Sequence, residues 1–111
     1  MNYEYAKTIY EELESLKGPE LFRLRADMFK LAVNYSYIRA GWHFLSAEEK
    51  SASSPARTQT HNAFIDACNI LSRAGLKAGA SSEWRRTLGQ DRKEIGDFAC
   101  YLTCFLGLLA R

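Results

Sequence analysis

Between Glu20 and Leu45, apolar residues recur at Leu21, Leu24, Met28, Leu31, Tyr35, Ile38, Trp42 and Leu45. The steps alternate between three and four, which lines one face of an α-helix. A second, interrupted apolar column follows Phe22, Ala26, Phe29, Val33, Ala40 and Phe44, and at about 100° per residue it lies toward the opposite side. A helix with two apolar faces needs cover on both, so this stretch is the expected centre of the fold. A narrow polar column of Arg23, Asp27, Lys30 and Asn34 separates the two, spaced so that Asp27 can pair with Arg23 or Lys30.

The flanking segments keep the helical period. A first helix is expected over Tyr3 to Leu16, with Tyr5, Ile9, Leu13 and Leu16 inward and Glu4, Glu11, Glu12 and Glu14 on its surface. Gly18 and Pro19 end it and start the central helix through a tight connection, because glycine suits a helix end and proline a first turn. Ser46 and Glu49 have capping-box spacing, yet Lys50 to Ser54 is a polar, serine-rich run without apolar period and predicts a mobile loop. Ser54 and Pro55 then read as the cap and first residue of a third helix. Its inner face is His61, Phe64, Cys68, Leu71 and Gly75, thickened by Ile65, and it fades between Gly75 and Gly79. Ser82 caps a short helix through Leu88, ended by Gly89. Asp91 and Glu94 open the last helix, with Ile95, Phe98, Leu102, Phe105, Leu106 and Leu109 inward. With no period-two segment, no proline-rich linker and no internal repeat, residues 1–111 predict a single-domain all-α bundle of four main helices and one short one.

Composition narrows the function classes. Fifteen basic against thirteen acidic residues leave a formal charge of +2, too little for a whole-molecule field that gathers nucleic acid or anionic membrane. Three cysteines are an odd number, and no basic-then-apolar leader precedes the first helix, so a cytoplasmic location is expected. The most apolar run, Phe98 to Ala110, has thirteen residues, short of the ~20 needed to span a bilayer.

Candidate chemistry is sparse. Cys100 and Cys104 stand one helical turn apart, but zinc sites take close ligand pairs in a loop or turn and none is present, so no metal or cofactor is expected. No serine elbow or phosphate loop occurs. His43 sits near the end of the central helix, where it favours the dipole, and His61 falls on an apolar face. Glu11 and Glu14 imitate one acidic pair of the helical nucleotide pyrophosphatases, but Asp27 lacks the second carboxylate that a hard-cation site requires. Two polar groupings remain as candidate binding residues. Asn62, Asp66, Asn69 and Arg73 form a stripe offset from the core face, and Trp84, Arg85 and Arg86, followed by Arg92 and Lys93, set an aromatic beside guanidinium groups as binding hot spots do. The plain alternatives are a wet helix face and a tryptophan that closes the bundle end.

The segments HNAFIDACNILS, His61 to Ser72, and EWRRTLGQDRKEIGDFACYL, Glu83 to Leu102, resemble a small bacterial family defined as a domain of unknown function. The resemblance covers the C-terminal half and implies no activity and no site residues. The expectation drawn from the residues is a non-enzymatic bundle that acts through protein contacts, as a homodimer whose face includes Phe22, Phe29 and Val33. Two alternatives stand beside it: a helical domain binding a small molecule or nucleotide, with or without catalysis, and a nucleic-acid accessory module using Trp84 to Lys93.

Overall fold

Helix α1, Tyr3–Glu14, begins where the Asn2 side chain accepts a hydrogen bond from the Tyr5 amide at 2.8 Å. The computed structural model describes residues 1–90 and 92–107, without the side chain of Arg92. Gly18, at φ +108°, and Pro19 then turn the chain into α2, Pro19–Gly41. A short 3-10 turn, Trp42–Phe44, ends α2 before Leu45. Helix α3, Ala47–Lys77, is followed by α4, Glu83–Leu88, and α5, Arg92–Phe105. The architecture is all-α, as expected.

Helix α2 is the post against which α3 and α5 pack, while α1 lies mainly on α5 and α4 on α3 and α5. Helix α3 runs antiparallel to it, with Arg57 over the Trp42 ring and His61 edge-on to Tyr35. Helix α5 is antiparallel on another side, with Ser36 bonded to Thr103 at 2.7 Å and Arg39 to Asp97 at 2.8 Å. Helix α1 is fastened at its end by Arg25, whose Nη1 donates to the carbonyls of Leu13, Glu14 and Leu16 at 2.9, 3.2 and 3.2 Å. A cation there satisfies orphan carbonyls and opposes the negative end of the helix dipole. The core joins Ile9 and Leu13 of α1, Met28 and Tyr35 of α2, Phe64 and Leu71 of α3, Trp84 and Leu88 of α4, and Phe98 and Leu102 of α5.

The largest departure from expectation lies between residues 50 and 54. They are not a loop: α3 is one helix of 31 residues with Pro55 inside it. The capping box marks its start, as the Ser46 hydroxyl accepts from the Glu49 amide and the Glu49 carboxylate from the Ser46 amide. Those bonds hold the exposed Glu49 carboxyl below its usual range. Pro55 and Ser51 are both exposed, so the carbonyl that proline leaves without a helical donor faces water. At about 1.5 Å per residue, α3 runs close to the full 47 Å length of the molecule. The α2–α3 hairpin thus extends as an arm, and the radius of gyration, 14.2 Å, exceeds the roughly 13 Å of a compact chain this long.

Smaller corrections follow from packing. The central helix stops at Gly41, four residues before Leu45. Tyr5 and Leu106, expected inward, are exposed, whereas Ala6 is fully buried. Ser82 precedes α4 without a side-chain cap, and the Ser81 hydroxyl accepts from the Glu83 amide instead. Asp91, as half of a capping pair, and Leu109 lie outside the described residues. No helix among the described residues is long and apolar enough to cross a membrane.

Candidate functional site

The two polar groupings meet at one contact. Asn69 on α3 accepts a 2.7 Å hydrogen bond from Nε of Arg85 on α4, so both are half-buried fasteners between helices. Trp84 is 3% exposed and part of the core, which leaves no ring face for a base or a partner side chain. Arg86 pairs with Glu83 on its own helix. Asn62 and Asp66 are exposed, with Asn62 Oδ1 3.4 Å from His61 Nδ1. Arg73 is also exposed and borders a groove of about 340 Å³ with Glu20, Arg23, Leu24 and Lys77. Asn62, Asp66, Arg73 and Arg86 therefore converge on no common point.

Phe22, Phe29 and Val33 are not one free apolar face. Phe29 is half-buried, its ring centroid 5.7 Å from that of Tyr10 on α1, and Val33 is half-buried as well. Only Phe22 is exposed, with the Arg25 guanidinium over its ring at 5.2 Å. Tyr10 of α1 thus covers the middle of the column at Phe29, while Phe22, Ala26, Ala40 and Phe44 stay exposed.

A still more exposed apolar side chain sits at the other end of α2. The 3-10 turn projects Phe44 into solvent at 89% exposure. On either side of that turn Gly41 and Leu45 line a cleft of about 280 Å³ with Tyr37 and Ile38, and with Ser53 and Ala56 of α3 opposite. Tyr37 is half-exposed beside it. The sequence places Phe44 and Tyr37 off the regular seam, but the apparent loop at 50–54 hid the α3 wall of the cleft beside Phe44.

Cys100, Cys104 and Asp97 line one cleft of about 310 Å³ with Met1 and Tyr101, apart from the other groups that could serve as nucleophile or metal ligand. Among the described residues no three His, Cys, Asp or Glu side chains gather as metal ligands would. Cys68 is fully buried, and its thiol is pushed up to about 12 by burial, against a smaller opposing effect of the Arg85 charge. Burial also raises the Cys100 thiol. Since the thiolate is the reactive form, a thiol at about 12 rather than 9 holds roughly a thousandfold less of it near neutral pH. Native protein treated with iodoacetamide at about pH 8 should leave Cys68 unlabelled until denaturant is added. Peptide mass mapping that finds it labelled at the rate of the unfolded chain would contradict the packing around it.

No family model, curated protein or solved structure matches the chain.

Proposed function

We propose that this protein is a non-enzymatic helical bundle of the bacterial cytoplasm that works through protein contacts, with a second copy of itself docked on the tip of the α2–α3 arm. The observation that carries the reading is the pairing of an exposed apolar knob, Phe44, with an apolar cleft one residue away. A knob and a hole on one patch are what a two-fold interface needs, because each copy can insert its own Phe44 beside the cleft of the other. The apolar lining of the cleft and its lack of a charged side chain favour a hydrophobic occupant over a substrate. Three free thiols agree with a reducing compartment, and the bacterial setting rests on the family resemblance alone.

Light scattering behind size exclusion tests this at tens of micromolar protein. The wild type should have the mass of a dimer, and Phe44→Ser that of a monomer with unchanged circular dichroism. Re-exposing two phenylalanines costs roughly 3–6 kcal/mol, more than a hundredfold in Kd. Phe22→Ser, on the opposite end of α2, should remain dimeric. A monomeric wild type, or a Phe44→Ser dimer of undiminished affinity, removes the proposal.

A further inference from the structure

On the other side of the same hairpin, α2 and α3 enclose a cleft of about 250 Å³ lined by Tyr35, Arg57, Thr58 and His61. We propose that this cleft binds a single oxyanionic group, of phosphate or carboxylate type, with the Arg57 guanidinium as its principal anchor. The inference is independent of self-association through Phe44, since the two clefts share no residue.

Arg57 is set for this role by what holds it and by what it lacks. Its guanidinium lies over the Trp42 ring, 4.7 Å from the centroid, which fixes the plane of the fork and leaves its two Nη groups to meet a ligand. None of the ion pairs among the described residues includes it. Its Nε–H is buried without a hydrogen-bond partner. A donor left so costs on the order of 1–3 kcal/mol, and an acceptor-rich ligand would recover that cost.

The other walls point to the same chemistry. Tyr35 and Thr58 bring hydroxyls, and neither makes a side-chain hydrogen bond among the described residues. His61 Nδ1 faces the Asn62 Oδ1 acceptor at 3.4 Å, so in the neutral ring Nε2 is an acceptor and meets only a protonated oxygen of a ligand, while the ring packs edge-on against Tyr35 at 5.2 Å. No carboxylate lines the cleft. A cation with two hydroxyls, unopposed by any acid, selects an anion with several acceptor oxygens. The volume admits one such group and not a nucleotide, since pockets for drug-sized ligands run to about 300–1,000 Å³. The groove bordered by Arg23, Arg73 and Lys77 is a weaker anion site, because Glu20 lines it and Asp27 already pairs with Arg23.

The test is a two-dimensional NMR titration of the full chain that follows the Arg57 Nε–H and Trp42 indole N–H resonances. Inorganic phosphate and acetate are added in separate arms, with sodium chloride at matched ionic strength as the reference. Saturable shifts of both resonances are expected with at least one oxyanion and not with chloride, and the arm that saturates at lower concentration identifies the preferred type. Arg57→Gln should weaken that binding at least tenfold while the rest of the spectrum keeps its dispersion. Thr58→Val, at an exposed position, should weaken it severalfold and serves as the second variant if Arg57→Gln does not fold. Shifts that stay linear in concentration, shifts that chloride reproduces, or saturable binding unaffected by Thr58→Val and Arg57→Gln would each overturn the assignment and leave water as the occupant.

Discussion

Leu102→Ala should lower the free energy of unfolding by roughly 2–5 kcal/mol, the range for an alanine cavity in a close-packed core. Leu102 is fully buried on α5, with Phe98 and Ala99 one turn before it and equally inaccessible. Across the core stand Phe64, Cys68 and Leu71 of α3, also without accessible surface. Aromatic rings anchored on two helices collapse poorly into a void, which puts the expected cost toward the upper half of the range. A chain of this length holds about 5–15 kcal/mol of stability in total, so the melting temperature should fall by roughly 10–20 °C. Leu106→Ala, one turn later and 37% exposed, is the matched control and should cost less than about 1 kcal/mol. Urea denaturation with an unchanged slope measures both. Equal costs for Leu102 and Leu106 would mean that α5 is rotated relative to the packing described above.

The elements legible in the sequence were those whose burial is carried by large apolar residues. Met28 and Tyr35 of α2, Phe64, Cys68 and Leu71 of α3, and Phe98 and Leu102 of α5 all fall at three- and four-residue spacing and are all buried. The second face of α2 was not legible because it is built differently. Arg25, Phe29, Ala32, Ser36 and Arg39 keep the helical period, yet only Phe29 is a large apolar residue, and the contacts are polar or small: Arg25 on the end of α1, Ser36 on Thr103, Arg39 on Asp97. Apolar columns alone therefore point to Phe22, Val33 and Phe44 instead, roughly 60–100° from the centre of that face at about 100° per residue. The same bias hid the arm. Residues 47–57 have weak local preference and little apolar content, and their helix depends on the capping box and on packing against the end of α2, a tertiary effect that no local pattern displays. Arg57 follows the expected loop at 50–54 and belongs to no apolar column, so neither cleft of the hairpin could be assembled from spacing alone.

The α2–α5 contact makes a second substitution informative, because its sign should depend on a residue of the other helix. Gly96 lies in α5 and is buried. Replacing a helical glycine by alanine ordinarily stabilises by about 1 kcal/mol, through lost freedom in the unfolded chain. Here a methyl group at position 96 would overlap Nη1 of Arg39 and stand 2.7 Å from its Cζ. The guanidinium cannot yield freely. Its Nη2 is held 2.8 Å from Asp97 Oδ1, its Nη1 is buried without a partner, and Asp97 lies 3.6 Å from the N-terminal amine of Met1. Gly96→Ala should consequently either expel Arg39 from a partly buried ion pair or push α5 away from Ala32 and Ser36. Overpacking of that kind costs about 1–3 kcal/mol, enough to cancel or outweigh the helical gain, so the substitution should be destabilising in the wild-type protein. In an Arg39→Ala background the obstruction is absent, and Gly96→Ala should stabilise by up to about 1 kcal/mol. Four denaturation curves complete the cycle. Stabilisation by Gly96→Ala in both backgrounds would show that Arg39 does not lie across Gly96, and that the close approach of α5 to α2 rests on Ala32, Ser36, Ala99 and Thr103 without it.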